Sequence, residues 1–298
     1  MNDYFQINNC PVCGEQEFSD FKKVPDWLVS KEIFRLKQCD SCGFKFTNNA
    51  PLPKDIGPYY DSDEYVEHSD TKKGLTYSLY HIARELMLKY KFKKIQALGV
   101  GKKLLDVGSG SGYFINFLKN KGYETTGVEI SEKARQLCMD NFGIETNEPS
   151  AFLNKTLGTN YDLITLWHVF EHVYTYEEYF ELFNYSLSES GRLILALPNC
   201  NSTDAQLYNE HWAAYDTPRH LWHFTPETIE QFAKRRGFIL DKKYRLPLDP
   251  FFNAMVSASY KESFTFLPIT MLKAFWAWMV SLGNLNKSSS LFYVFKKA

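Results

Sequence analysis

The chain has 298 residues, 44% of them apolar, and a formal net charge of −1 at pH 7. That length holds one large domain and a small one, and a charge so near zero lacks the basic footprint of a nucleic-acid binder, so no nucleic-acid partner is expected. The start of the chain shows no basic stretch followed by an apolar one, so with six cysteines a reducing, cytoplasmic setting is expected, where paired cysteines bind metal rather than close disulfides.

Two matched pairs come first. Cys10 and Cys13 are followed by Gly14, and Cys39 and Cys42 by Gly43. Each turn aims two thiolates at one ion, and the glycine permits the left-handed backbone that follows. Four thiolates favour tetrahedral structural Zn2+ in a closed site, and no thioredoxin-like strand–helix context supports two redox pairs instead. Residues 14–38, between the pairs, lengthen a hairpin arm, and Phe44 and Phe46 fit a strand leaving the second pair. Residues 1–50 are therefore expected to form a small zinc-ribbon-like module. The isolated Cys138 and Cys200 read as buried apolar thiols.

Pro51 and Pro53 break the chain into a linker, and an acidic, tyrosine-rich stretch follows at 59–65. Residues 75–98 read as a long amphipathic helix with Leu75, Leu79, Ile82, Leu86 and Tyr90 on its apolar stripe, and the lysines at 89–94 read as its solvated end.

The stretch 103–113 organises the rest. Leu104, Leu105 and Val107, interrupted by Asp106, predict a buried parallel strand. Gly108, Gly110 and Gly112, with Ser109 between, form a loop almost without side chains. A helix then opens at Tyr113. Such a loop lets a ligand lie against backbone. A second strand, 124–130, ends at Glu129, where doubly wound nucleotide sites carry a ribose-binding acid. Ser131 caps a helix that closes at Gly143.

The acid inside the first strand and the glycine spacing set this stretch apart from a dehydrogenase. It resembles the class I S-adenosylmethionine-dependent methyltransferases, whose first motif is matched at 104–112 and second at 128–131. The resemblance runs on through 161–173 and 191–199 and covers roughly residues 100–245. It implies a Rossmann-like, doubly wound α/β sheet of seven strands with the last antiparallel, an S-adenosylmethionine cofactor, and S-adenosylhomocysteine as product. It further implies that Asp106, Gly108, Ser109, Gly110, Gly112 and Tyr113 line the methionine end. Glu129 and Ile130 would hold the ribose, Trp167 and His168 the cleft side, and Tyr60 and Tyr65 a lid. The adenine is expected near residues 148–152. The fused zinc module resembles that of some bacterial sugar C-methyltransferases and related cell-surface-polysaccharide enzymes, which implies that it walls the substrate cleft.

The third strand is expected at 144–147, the fourth at 161–166, the fifth at 191–197, and a closing antiparallel pair at 239–246 and 290–296. Helices are expected at 175–188 and 226–237. Domain boundaries follow: linker, lid and helix at 51–99, and a catalytic domain at 100–298 with inserts at 200–225 and 247–288.

The chemistry needs donor, methyl and acceptor in line and, for a hydroxyl or carbon acceptor, a base. Histidine is the default near neutral pH. His168 and His172 follow the fourth strand, and His220 and His223 lie in the 200–225 insert. Taken singly each reads first as a hydrogen-bonded structural histidine, but at least one of the four is expected to act on the substrate as the base. Arg219 is a candidate clamp for an anionic substrate, or a salt-bridge partner of Asp216 or Glu227, and Tyr215 is a candidate substrate contact. Glu171 and His172 resemble the acid–histidine step of ubiquinone-pathway O-methyltransferases, some of which use a divalent ion. No catalytic metal is expected, because the sequence names no further ligand.

Residues 251–285 are rich in Phe, Trp and Met. Pro268 and Lys273 interrupt the longest apolar run, which argues against a membrane span. A cap over the substrate pocket, a homodimer surface and a monotopic face for a lipid-linked substrate are the three readings. The expected activity is methyl transfer to oxygen or carbon of a small molecule, a sugar or cell-surface glycan precursor. The alternatives are a quinone- or lipid-pathway O-methyltransferase and a cofactor-binding interaction protein without turnover.

Overall fold

The structure is a computed structural model that describes residues 4–61, 75–261 and 267–298, with the side chains of 75–80 also outside the description. Tyr65 and the Leu75 and Leu79 side chains therefore lie outside the described residues.

The main sheet has six described strands: β6 (Lys103–Val107), β7 (Glu124–Val128), β8 (Tyr161–Trp167), β9 (Leu187–Pro198), β11 (Phe238–Arg245) and β12 (Ser290–Lys297). They run in the order β7-β6-β8-β9-β12-β11. β6 is parallel to β7 and β8, and β8 to β9, while β12 is antiparallel to β9 and to β11. The apolar runs of β6 and β9 follow from this: Leu104, Leu105 and Leu193 to Leu197 are buried because both faces of the sheet are covered.

The seventh strand is a correction. Where residues 144–147 were to form strand three, there is a single parallel bridge between Val128 and Asn147. Asn147 spends both its backbone N–H and its side-chain amide on the Gly127 carbonyl, at 2.8 and 3.1 Å. Pro149 then opens a short helix, Pro149–Leu153, which ends any strand there.

Helix α1 (Leu75–Gln96) covers one face of the sheet. Its stripe is also corrected: Ile82 and Leu86 are exposed, at 57% and 56%, and the buried positions are Leu88 and Ile95. Helix α2 (Tyr113–Lys119) follows the glycine loop. Helix α3 (Glu132–Phe142) is capped by Ser131, whose hydroxyl accepts from Ala134 N, and closes at Gly143 in the left-handed region. The 149–153 helix is α4, α5 is Tyr176–Ser186, α6 is Thr203–Tyr208 and α7 is Pro226–Lys234. Thr225 and Thr228 close a capping box at the start of α7, with Pro226 in the first turn.

The N-terminal strands are β1 (Tyr4–Phe5), β2 (Phe18–Pro25), β3 (Ile33–Cys39), β4 (Lys45–Asn48) and β5 (Ala50–Pro51). β2, β3 and β4 form an antiparallel sheet that continues into β10 (Trp222–His223), with Trp222 opposite Phe46. Phe44, Phe46, Cys39 and Val12 share one buried cluster with Leu166, Phe170 and Phe224, so the ribbon packs directly on the α/β core.

The 251–285 insert is a helical pair, α8 (Asp249–Tyr260) and α9 (Leu267–Gly283). Ala254, Ala258 and Ala274 on its inner side join Trp212 and Tyr215, and Val24 and Leu36 of the ribbon. Leu272, Phe275 and Trp276 face outward, at 67%, 51% and 60% exposure. No helix among the described residues is long and apolar enough to cross a membrane.

Candidate active site

The four cysteines meet as spaced. Their sulfurs lie within 4.8 Å of one another, with Cys10 Sγ and Cys42 Sγ 3.5 Å apart and Cys13 Sγ and Cys39 Sγ also 3.5 Å apart. That is far beyond the ~2.05 Å of a disulfide. It is near the ~3.8 Å edge of a tetrahedron with Zn–S bonds of ~2.3 Å. Burial pushes the Cys10 thiol up to about 11 and Cys42 higher still. Four thiolates share this space only around a cation, so the cluster is compatible with structural Zn2+.

At the C-terminal ends of β6 and β7, three glycines adopt left-handed backbone: Gly108 at φ 78°, Gly110 at φ 55° and Gly112 at φ 83°. A Cβ on Gly108 would lie 2.2 Å from Val169 Cγ2, and one on Gly112 2.1 Å from Cys138 Sγ, so neither position has room for a side chain. A Cβ on Gly110 would meet nothing within 4 Å, so that face of the loop is open. Gly108 N and Ser109 N donate to Val128 O, which ties the loop to β7. The nearly buried Glu129 carboxylate accepts from Gly110 N at 2.8 Å and from Ser131 N at 2.9 Å. Ile130 is 81% exposed beside it. Tyr113 packs edge-on against Phe142 and carries the Arg84 guanidinium 3.6 Å above its ring.

Asp106 is buried and accepts from Thr165 Oγ1 at 2.5 Å. Burial pushes its pKa up to about 7, against the pull of that hydrogen bond and of Lys91. The lysines at the end of α1 are not all solvated: Lys91 Nζ sits 3.8 Å over the Trp167 ring, and burial lowers its pKa to about 8, opposed by Asp106 and Asp249. No feature of the sequence marked Lys91, because it is one of several lysines on an apparently polar turn.

A second group of polar side chains begins where β8 ends. His168 has φ 56° and lies between two carboxylates, with Nδ1 3.5 Å from Glu171 Oε1 and Nε2 3.3 Å from Asp249 Oδ2. Burial opposes its charge, but Asp249 and Glu171 outweigh that and lift its pKa to about 9. Asp249 opens α8, far along the chain, and nothing in its local sequence singled it out.

A 3₁₀ turn, Phe170–His172, then carries Glu171 and His172. Glu171 is fully buried, and neither carboxylate oxygen has a hydrogen-bond donor. His172 Nδ1 lies 3.1 Å from the Arg219 carbonyl and 3.1 Å from Tyr60 Oη. His220 Nδ1 lies 2.9 Å from the Ala214 carbonyl. The His172 and His220 rings meet edge to face, 4.5 Å between centroids. Burial and the neighbouring His220 push the His172 pKa down to about 4, so this imidazole is neutral at pH 7.

His223 is placed elsewhere. It is buried in β10, and its Nε2 lies 2.9 Å from Thr47 Oγ1 of β4. Burial, with His220 and Lys45 beside it, holds its pKa well below the usual imidazole value. Tyr215 is fully buried between Trp212 and His223, away from an open surface. Arg219 is corrected as a clamp. Its side chain is 1% exposed and its guanidinium is consumed: it donates to Asp26 Oδ1 at 2.8 Å, to Asp216 Oδ1 at 2.7 and 2.9 Å, and to the Tyr59 carbonyl at 2.6 Å. Asp26 lies in the ribbon and also accepts the backbone N–H groups of Leu28, Val29 and Ser30. Arg219 thus staples the ribbon to the histidine-bearing segment; the sequence offered Asp216, and the fold adds Asp26.

A family profile described as a methyltransferase domain matches residues 80–243, more than half of the chain. The chain belongs to this methyltransferase family. Solved structures share the fold. One is titled a putative sarcosine dimethylglycine methyltransferase from Galdieria sulphuraria, at 15% identity and TM-score 0.52, covering 74% of this chain and 88% of that one. Another is a magnesium protoporphyrin IX methyltransferase from Synechocystis PCC 6803 with bound S-adenosylhomocysteine, at 14% identity and TM-score 0.51, covering 80% and 97%. A 23S rRNA (uracil(747)-C(5))-methyltransferase from Pyrococcus abyssi is 33% identical over 86 residues, which are 28% of this chain and only 20% of that protein. The chain thus joins a methyltransferase domain to a four-cysteine module.

Proposed function

We propose that this methyltransferase transfers its methyl group to oxygen or carbon of a small polar acceptor, a sugar or cell-surface glycan precursor. One observation carries the reading. Gly108 packs on Val169, so the open glycine loop abuts the loop that bears His168, Glu171 and His172. A donor lying on the loop would have its methyl beside a wall of imidazoles and carboxylates, which suits a hydroxyl-rich acceptor.

In this reading Gly108, Ser109, Gly110 and Gly112 receive the methionine end, with Asp106 and Tyr113 behind it. Glu129 takes the ribose hydroxyls, and Ile130 and Trp167 flank the cofactor. His172, a neutral imidazole at pH 7, and His220 beside it face the acceptor. His168, with a pKa of about 9, is cationic at neutral pH and is better suited to hold an oxygen of the acceptor than to take its proton. Tyr60 closes the cleft through His172. A nucleic-acid acceptor, as in the name of the rRNA relative, is disfavoured by the net charge of −1. The exposed Leu272, Phe275 and Trp276 favour a second reading, a lipid-linked acceptor met at a membrane surface, which flotation on liposomes would separate from the first.

The test is incubation with methyl-labelled S-adenosylmethionine and a panel of nucleotide sugars and polar metabolites. Label in a sugar product supports the reading, and label only in lipid extracts sinks it. Glu129→Ala should weaken S-adenosylhomocysteine binding more than tenfold in calorimetry, as loss of charged hydrogen bonds worth ~1.5–3 kcal/mol requires. Unchanged affinity would remove the ribose role.

A further inference from the structure

We propose that Asp249, the first residue of α8, is a positioning residue for His168, so that the inserted helical pair holds one side of the methyl-transfer site rather than only covering it. The role in transfer rests on the acceptor reading above, in which His168 holds an oxygen of the acceptor. The contact between Asp249 and His168 does not rest on it.

Three features converge. The first is the inner stripe of α8. Asp249, Asn253 and Ser257 stand at i, i+4 and i+8, on one face of the helix. Each meets a different part of the chain. Asp249 Oδ2 lies 3.3 Å from His168 Nε2. Asn253 Nδ2 donates to Ser289 Oγ at 2.8 Å, and that hydroxyl donates to Asp204 Oδ2 at 2.6 Å. Ser257 Oγ accepts from Ala213 N at 2.8 Å.

A helix that only covered a cavity would need an apolar seam. Asn253 and Ser257 are buried, and buried polar groups are costly unless paired in good geometry. Their directional bonds fix the rotation and height of α8, which contacts through Ala254 and Ala258 alone would not. Asp249 precedes Asn253 by one turn, so the Asn253–Ser289 bond sets where its carboxylate stands. The first turn of a helix also favours a negative charge.

The second feature is His168 itself. Its φ of 56° is left-handed, a conformation that a residue with a side chain keeps only where its surroundings hold it. Its N–H donates to Ala196 O at 3.1 Å. Its ring stands between Glu171 Oε1, 3.5 Å from Nδ1, and Asp249 Oδ2 on the Nε2 side. One carboxylate comes from the turn after β8 and the other from the insert, and together they fix the ring's orientation.

The third feature is the surrounding charge. His168 faces Glu171 on its own turn and Asp249 on α8; Asp249 in turn acts on Lys91 of α1, and Lys91 on Asp106 of β6. Glu171 is fully buried, whereas the His168 side chain keeps 38% of its surface open, next to Val169, on which Gly108 packs. In the proposed reading a positive charge here stands where an acceptor oxygen turns negative as it gives up its proton. Burial lowers the pKa of His168, and Asp249 with Glu171 more than reverses that, to about 9. The charge is present below that pH and lost above it. Removing an opposite charge at such a distance moves a pKa by about 1–3 pH units, here downward.

The experiment compares two pH profiles of the full-length protein. One is the magnetic-resonance titration of the His168 ring in protein carrying isotope-labelled histidine, assigned by the signal lost in His168→Gln. The other is the initial rate of label transfer from methyl-labelled S-adenosylmethionine to an extracted pool of polar metabolites. In Asp249→Asn the ring midpoint and the alkaline fall of the rate should move acidward together, by about 1–3 pH units. A two-unit move lowers the charged fraction at pH 8, and the rate with it, about tenfold. Binding of S-adenosylhomocysteine, which reports folding and the cofactor site, should be retained, and Asp249→Glu, which keeps the charge, should recover part of the rate. An unmoved ring midpoint would overturn the contact. A moved ring with an unmoved rate profile would leave a structural ion pair only, and a rate that follows Lys91, at about 8, would assign the carboxylate to the lysine; either overturns the role. A wild type that transfers no label at any pH, although its ring titrates near 9, removes the acceptor reading and this role with it, and is thereby told apart from a failure of the contact.

Discussion

The two sides of the proposed site are built from different materials. The glycine-loop side, the proposed cofactor wall, is mostly backbone: three left-handed glycines, Val128 O receiving two amides, and one carboxylate held by Gly110 N and Ser131 N. The histidine side, the proposed acceptor wall, is mostly side chains, drawn from β8, α8, the 213–223 segment and the ribbon. A backbone wall fixes one ligand shape and is specified within about 25 consecutive residues. A side-chain wall depends on four distant stretches meeting, so remote changes should reach it first.

The largest expected effect uses that dependence. β4 of the ribbon pairs with β10, and Arg219 is bonded to Asp26, so the zinc cluster supports the segment that carries His220. Structural Zn2+ contributes ~10–16 kcal/mol in isolated finger peptides. Losing even ~4 kcal/mol of that should lower the thermal midpoint by roughly 8–16 °C, at about 2–4 °C per kcal/mol for a chain of this class. Cys39→Ser should therefore lose zinc and melt early. At a temperature where it stays folded, turnover should fall far more than S-adenosylhomocysteine affinity, and equal losses in both would break the distinction between the walls.

Arg219→Ala comes next. It would leave Asp26, fully buried, and Asp216 without their cation, a change that costs about 3–5 kcal/mol when a buried pair loses one member. Arg219→Lys should recover only part of this in denaturant unfolding, since an ammonium cannot reach two carboxylates and the Tyr59 carbonyl in one plane. Full recovery would mean that charge alone matters here.

The same contrast explains what was legible in the sequence. The cysteine pairs, the glycine loop with Asp106 and Glu129, the Ser131 and Thr225 caps and the closing strands are local patterns, and they appear where spacing puts them. The acceptor wall was legible only as a list of histidines. His220 is joined to Glu171 and His172 by folding, not by spacing, and no pattern tells His223, bonded to Thr47, from its neighbour. Arg219 read as a clamp because Asp26 belongs to another sheet. The α1 stripe was misphased because Lys91 lies inward over Trp167, where a lysine argues for the solvent face. Strand three failed for want of length before Pro149.

Within the cofactor wall, Gly108 and Gly110 should separate packing from binding. Gly108→Ala drives a methyl into Val169, so overpacking of about 1–3 kcal/mol adds to a left-handed penalty of roughly 1–2 kcal/mol. Gly110→Ala meets no atom of the chain and should carry only the second cost. Yet its methyl would occupy the open face, so Gly110→Ala should lose more S-adenosylhomocysteine affinity per unit of stability lost. The reverse order would place the ligand elsewhere.

The smallest expected effect concerns the charged pair beneath that wall. Asp106 has a folded pKa of about 7 against 3.8 for the free group, and Lys91 about 8 against 10.5. A carboxyl whose folded pKa is raised contributes its stability fully below pH 3.8 and loses it as pH climbs to about 7. A lysine whose folded pKa is lowered resists protonation in the fold, so its cost is full below about pH 8 and is relieved as pH rises towards 10.5. Both costs are present between pH 7 and 8. Asp106→Asn keeps an oxygen for Thr165 Oγ1 but cannot ionise, so the difference between wild-type and variant unfolding free energies should slope between pH 4 and 7. It also removes a charge that helps Lys91 keep its proton, so the alkaline rise should begin below pH 8 in the variant. If the difference curve is flat from pH 4 to 7, Asp106 is ionised in the fold throughout. The cofactor wall would then carry a full negative charge beneath its glycines rather than a group that titrates there.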